Sequence, residues 1–209
     1  MIDKNKLEAL GLSSLVAVVD LETLSRKPNA VIGSIGCVVI DLLERKEVSN
    51  FYARIDLDNQ PGRDIESHVV KWWHVQQALY PMAYNELYDP NLNRVRLPIA
   101  LQMFGKFLSE VFDEKKIQLF GNGPEFDNVI LANAYDRAGL KAPWHHGGNQ
   151  SIRTVVLMGR LLLGIDPKYG DFDGIKHHAL HDARHEALYT LDIFSQLDNA
   201  ILKNESFKY

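Results

Sequence analysis

A single cysteine, Cys37, is all the thiol this 209-residue chain carries. An internal disulfide is excluded, and with it a small scaffold held together by cross-links. Cys37 lies in the apolar run VIGSIGCVVI and reads as a small buried hydrophobe, which suits a reducing compartment. Long hydrophobic runs are missing too: no stretch reaches the ~18 apolar residues that a membrane span needs. The first residues, MIDKNKLEALGLSS, carry acids and no apolar stretch of the kind found in secretory signals. A cytoplasmic location is therefore expected. Positive charge is also short, since 23 Lys and Arg stand against 27 Asp and Glu, a formal net charge of −4. Nucleic acid held by bulk charge alone is excluded. An anionic substrate requires a local basic patch or bound cations.

Core-forming material is plentiful. Hydrophobic residues make up 46% of the chain, enough to fill the core of one domain. Residues 1–14 read as an N-terminal arm, 15–203 as a single domain and 204–209 as a C-terminal tail. Residues 15–20 form a valine-rich run that predicts a buried strand, and the Pro and Asn of SRKPNAV mark a turn. Residues 31–41 predict a second strand and 48–56 a third, joined by connections short enough for an antiparallel meander. After a Pro-Gly loop, residues 65–88 read as two helices broken near Pro81, and 97–113 as an amphipathic helix. Residues 116–122 predict a strand. A helix then runs from Pro124 to about Gly139, opened by proline and closed by glycine. Residues 140–152 read as a loop, 154–163 as a helix and Ala179 to about Lys203 as the last helix. This order predicts an α/β domain, a mixed central β-sheet flanked by α-helices.

Three polar clusters stand out from that frame. The first is VAVVDLET, 16–23, where an apolar strand ends in two acids. Strand side chains alternate, so Asp20 and Glu22 share a face. A divalent cation is one compensation for such a pair, because Mg²⁺ binds through one or two carboxylates plus phosphate oxygens. A solvated strand end is another. The second cluster is LFGNGPEFDNVIL, 119–131, which places Asp127 on the first turn of a helix, where the dipole favours a carboxylate. Asn122 reads as a turn or cap residue. The third is IKHHALHDARHEALYTLDIF, 175–194. His177, His181 and His185 are spaced by four and would share a helical face, which admits a zinc site. The glycine-rich loop before Lys176 instead puts His177 before or at the helix start, with Asp182 one turn inside.

Together these stretches resemble the DEDDh exonucleases of the ribonuclease H-like superfamily. The pattern is D-x-E after a strand, a later Asp at a helix start, then His-x4-Asp near the C-terminus. Here it reads Asp20, Glu22, Asp127, His177 and Asp182, in family order over about residues 15–195. VVDLET, P-N-A-x-I-x-S-I-G, K-W-W, G-N-G-x-x-F-D-N and H-x-A-L-x-D-A-R-H look closest to the branch of phage exonuclease A-like and mycobacterial exoribonuclease-like proteins. Where this chain has His181 that branch often has an acid. The resemblance implies a ribonuclease H-like fold. It also implies 3′–5′ removal of nucleoside 5′-monophosphates from RNA or DNA with two Mg²⁺ or Mn²⁺ ions. Two cations about 4 Å apart stabilise the attacking and leaving oxygens of an in-line displacement. Asp20 would bridge them, Glu22 and Asp182 would complete the shell, and Asp127 would hold the second ion. His177 would take the proton from the attacking water, as an imidazole titrating near neutrality can. Members of the family often form homodimers, and the aromatic-rich 72–88 segment is a candidate interface.

Leu21 and Thr23 flank the acids, where the family's backbone meets the terminal nucleotide, so both are candidate substrate contacts. Trp72 and Trp73 point about 100° apart on a helix, one into the core and one free to stack on a base; Trp73 is carried as the candidate. Phe126 is a candidate wedge against the terminal base. Arg153, Arg160 and Lys168 would form a basic rim, and Arg184 would orient Asp182. Two other functions fit the residues less fully: a zinc hydrolase built on the histidine cluster, and a catalytically silent nucleic-acid-binding module of the same fold.

Overall fold

The computed structural model describes residues 2–113 and 116–205. Three antiparallel strands form first: β1 (Leu15–Thr23), β2 (Ile32–Asp41) and β3 (Lys46–Arg54). The chain leaves the sheet for α2 (Ser67–Leu79), α3 (Pro81–Tyr88) and α4 (Leu97–Val111), following α1 (Lys4–Ala9) at the N-terminus. It returns as β4 (Leu119–Gly121), parallel to β1, with Val19 opposite Gly121. Then come α5 (Asp127–Arg137), β5 (Asn149–Ser151), α6 (Ile152–Met158) and the long α7 (Ala179–Glu205). The strand order is β3-β2-β1-β4-β5.

Strand alternation decides which helices cover which face. Ala17, Val19 and Leu21 of β1 point to one core, shared with Leu101 and Phe104 of α4 and with Ile130 and Leu131 of α5. Val16 and Val18 point to the other, shared with Val155 of α6 and Ala183 and Ala187 of α7. Asp20 and Glu22 continue the Val16–Val18 row. The acids therefore emerge on the α7 side at the end of the strand. A third cluster, with Trp73, Leu24, Val31 and Leu87, fastens α2 and α3 beside that end.

Two glycines let the helices come close enough to matter. Gly36 lies opposite Asp20 on β2, and a Cβ there would stand 2.2 Å from the backbone of Ala179 and Leu180. At Gly121 a Cβ would stand 2.5 Å from Asn128 Oδ1 and 3.0 Å from the Asp127 side chain. The first turns of α7 and α5 thus sit directly on the sheet at the β1 terminus.

The three-strand meander, the Pro81 break and the amphipathic helix form as the residue pattern predicts. Several expectations need correction. The helix expected from Pro124 begins at Asp127, because Phe126 (φ −110°, ψ −81°) is not helical and its amide closes a turn onto the Gly123 carbonyl at 2.8 Å. The expected 140–152 loop contains β5, a polar Asn-Gln-Ser strand held by backbone pairing to β4. The expected 154–163 helix starts at Ile152, capped by Ser151, and its last stretch, Gly159–Leu163, winds as a π turn. Residues 204 and 205 of the expected 204–209 tail continue the last helix, and 206–209 lie outside the described residues. In the 72–88 segment Val75, Leu79 and Met82 are exposed. Among the described residues no helix is long and apolar enough to cross a membrane.

Candidate active site

The end of β1, the first residue of α5, the first turn of α7 and the loop before α7 converge. Glu22, His177 and Asp182 each offer a ligand atom, and these atoms lie within 4.8 Å of one another. The His177 amide donates to Asp182 Oδ2 at 2.8 Å, a bond that ties the loop to the helix. His177 has φ +64°, a left-handed conformation that costs about 1–3 kcal/mol in a residue other than glycine. Rings hold its imidazole edge-on: Tyr80 at 5.0 Å, Trp72 at 5.1 Å and Trp73 at 6.4 Å between centroids. Next to it, His178 stacks on Tyr52 at 4.5 Å, and the Tyr52 hydroxyl donates to Glu86 Oε1 at 2.6 Å. Arg54 pairs with the same Glu86. A neighbouring polar cluster thus braces the strained loop.

Asp127 is 2% exposed and begins α5, where the helix dipole favours its charge. Burial nevertheless pushes its carboxyl up to about 7, with the backbone amides of Asp127, Leu21 and Asn122 pulling the other way. Burial likewise lifts Asp182 to about 6. Asp20 and Glu22 are raised well above the ordinary carboxylate range, by burial first. Repulsion follows, chiefly from Glu22 on Asp20 and from Asp182 on Glu22. Glu186 is raised too, by burial and then by Asp127. His177 is lowered by burial and then by Lys176, so the imidazole is neutral at neutral pH and free to accept a proton. Asp127 Oδ1 and Glu186 Oε2 are buried without a hydrogen-bond partner. Clustered carboxylates with free oxygens are costly alone and fit a hard divalent cation, which takes oxygen ligands and inverts the local charge.

Two clefts meet at the acids. One, about 400 Å³, is polar and lined by Asp20, Asn122, Lys168, His177, Asp182 and Glu186. The other, about 430 Å³, is mostly apolar and bounded by Glu22, Leu21, Thr23, Trp72, Trp73 and Phe126. A row of carboxylates between a flat aromatic slot and a polar cleft with a lysine can seat a base on one side and a phosphodiester on the other.

All five acid and histidine candidates thus gather at one place, and Leu21, Thr23 and Phe126 line the apolar cleft, but Trp73, carried as the stacking candidate, is buried in its wall and the exposed ring there is that of Trp72. The two tryptophans divide as adjacent helical positions must. Trp73 is 1% exposed and its indole N–H donates to the Thr23 carbonyl at 3.1 Å, whereas Trp72 is 43% exposed and presents its ring to the cleft. The Thr23 hydroxyl donates to the Ser25 carbonyl at 2.7 Å, so its proton is already engaged. Other expectations are overturned. Arg184 does not pair with Asp182; it makes a two-pronged bond to Glu47 on β3 at 2.8 and 3.0 Å. Arg153 pairs with Glu125 and Arg160 with Asp166, leaving Lys168 as the member of the expected basic rim that lines the polar cleft. The histidines form no zinc set among the described residues. His181 Nδ1 accepts from the Ile175 amide at 2.9 Å, and His185 lies 3.4 Å from the Lys168 carbonyl. Sequence reasoning missed Glu186. Its signal was the four-residue step from Asp182, which puts both on one face of α7.

No curated protein sequence matches this chain. Among solved structures, the nuclease domain of 3′hExo, a DEDDh family member bound to rAMP, is similar with a TM-score of 0.61 and 13% identity over 88% of this chain and 93% of that one. A moderately thermophilic Exonuclease I from Methylocaldum szegediense gives a TM-score of 0.60 at 13% identity, covering 88% of this chain and 43% of that one. The zinc-bound E. coli ExoI–ssDNA complex gives 0.58 at 13% identity, covering 90% and 43%. At these identities the likeness is one of fold, the ribonuclease H-like fold of DEDDh exonucleases. The model of the 3′–5′ exoribonuclease Rv2179c-like domain matches residues 16–194, most of the chain, and the protein belongs to that family of 3′–5′ exonucleases.

Proposed function

We propose that this 3′–5′ exonuclease takes RNA 3′ ends as substrate and releases nucleoside 5′-monophosphates. Asp20, Glu22, Asp127 and Asp182 hold two divalent cations, Mg²⁺ or Mn²⁺, and His177 is the general base. The observation that carries the reading is the convergence of Glu22, His177 and Asp182 within 4.8 Å from a strand end, a loop and a helix more than 150 residues along the chain. The groups that would hold the ions are carboxylates, whose oxygens suit Mg²⁺ or Mn²⁺ better than a softer ion, and the His177 imidazole stands beside them as the base. RNA is favoured by the family name, and 3′hExo is recorded with rAMP.

The chain's own residues divide the work. Trp72 and Phe126 bracket the apolar cleft and receive the terminal base, with Leu21 as its floor. Thr23 offers a hydroxyl oxygen to the sugar while its O–H donates to the Ser25 carbonyl. The bond from the His177 backbone amide to Asp182 fixes the loop, the Tyr80, Trp72 and Trp73 rings hold the imidazole, and the neutral ring takes a proton from the attacking water. Lys168, at the wall of the polar cleft, attracts the phosphate. When bound, divalent cations supply Lewis-acid stabilisation of the charge that develops at the phosphoryl group.

The test uses RNA and DNA oligomers labelled at the 5′ end, incubated with Mg²⁺ or Mn²⁺. Stepwise shortening of the RNA from its 3′ end, abolished by chelator and by Asp127→Ala, is expected. Preferential shortening of DNA, or full activity in Asp127→Ala, would contradict the reading.

A further inference from the structure

Glu186 lies four residues beyond Asp182 on α7, so the two side chains leave the helix on the same side. It is 6% exposed and lines the polar cleft with Asp20, His177 and Asp182. Its Oε1 accepts from the Asn122 side-chain amide at 2.5 Å. Asn122 belongs to the turn between β4 and Asp127, so this bond ties the middle of α7 to the segment that carries Asp127. The other oxygen, Oε2, is buried and has no partner. Asp127 Oδ1 is in the same condition.

A strut between α7 and the Asn122 turn needs a hydrogen-bond acceptor and no charge. Glutamine would serve, and it would spare the protein a fifth negative group beside Asp20, Glu22, Asp127 and Asp182. A buried carboxylate with a spare oxygen is costly unless something positive faces it, and Lys168 on the same cleft wall pulls the Glu186 carboxyl down less than burial and Asp127 push it up. We propose that Glu186 is a fifth carboxylate of the cation centre, serving the divalent ion on the Asp127 side through Oε2 while Asn122 holds Oε1. This rests on the metal-binding reading above. The division is spatial. Glu22, His177 and Asp182 converge on one side, and Asn122 links Glu186 to the Asp127 side.

The test is calorimetric titration of Mn²⁺ into the metal-stripped full chain and its Glu186→Gln variant, without substrate. Two ions are expected in the wild type. Glu186→Gln keeps the Asn122 bond, and in it one ion binds as before while the other weakens by about 10–100-fold. Two ions at unchanged affinity in the variant would overturn the role of Glu186 and leave the metal centre standing. No Mn²⁺ uptake by the wild type would overturn both. Thermal unfolding in chelator gives an independent readout. Glu186→Gln melts higher than the wild type if the charge is kept for a cation, and the difference shrinks when Mn²⁺ is added. A variant that melts at the wild-type temperature in chelator marks Glu186 as a strut that glutamine replaces, and that result, or a lower melting temperature, overturns the proposal.

Discussion

Gly36 and Ala179 are in contact through their backbones: a methyl group built on the glycine would stand 2.2 Å from the Ala179 carbonyl carbon. Because Gly36 is paired with Asp20 in the sheet, this contact sets how near α7, with Asp182, comes to the strand that carries Asp20 and Glu22. Gly36→Ala must push the helix away, since neither partner is a flexible side chain. Overpacking of this kind costs about 1–3 kcal/mol, or more where backbone must move. The expected result is a lower melting temperature together with weaker Mn²⁺ binding. A Gly36→Ala protein with wild-type stability and metal affinity would contradict the close approach.

His177 and Asp20 separate two roles. Removal of the base by His177→Ala is expected to slow hydrolysis by about 10²–10⁴-fold while divalent-metal affinity stays nearly the same. Asp20→Ala is expected to lose metal as well as activity. Calorimetry distinguishes them. Unchanged metal affinity in Asp20→Ala would count against its place in the centre.

Asp127 gives the metal-free protein a pH dependence of known sign. Its ordinary value of 3.8 describes the unfolded chain, while in the fold burial holds the carboxyl up to about 7. Between those limits the folded state binds the proton and the unfolded state does not, so this contribution to stability is full below about pH 4 and is lost as pH rises through about 7. Buried His178, lowered to about 4, acts in the opposite sense over part of that window. The informative comparison is therefore with Asp127→Asn. In chelator the variant should gain on the wild type as pH rises from about 4 to about 7. A gap that is constant with pH would contradict the raised carboxyl.

The adjacent tryptophans should fail differently. Trp72→Ala removes a half-exposed ring from the apolar cleft and is expected to weaken RNA binding by about 1–3 kcal/mol with little change in melting temperature. Trp73→Ala empties a buried site and breaks the bond to the Thr23 carbonyl, so a loss of about 3–5 kcal/mol of stability is expected. Equal effects of the two on stability would contradict the division.

The sheet's first three strands and the location of the acids were legible because their signals are local. Apolar alternation fixes β1, and two acids two residues apart on it must share a face. The rest came from the resemblance of Asp20, Glu22, Asp127, His177 and Asp182, in order and spacing, to the DEDDh exonuclease pattern. β5 was not legible: Asn149–Ser151 has no apolar pattern and exists through backbone pairing with β4. The start of α5 was misplaced because Pro124 suits either a first helical turn or a tight turn, and the choice depends on Gly121 admitting Asp127 to the sheet. Arg184 finds Glu47, 137 residues away, rather than a neighbour on its own helix, a pairing that no local pattern encodes.

The most direct measurement is a crystal structure of the chain soaked in Mn²⁺, with anomalous scattering collected at the manganese edge. Two anomalous peaks are expected among the carboxylates of Asp20, Glu22, Asp127 and Asp182, beside the His177 ring. Peaks at His181 or His185 instead, or no ion at the acids in well-ordered crystals, would contradict the metal-dependent site.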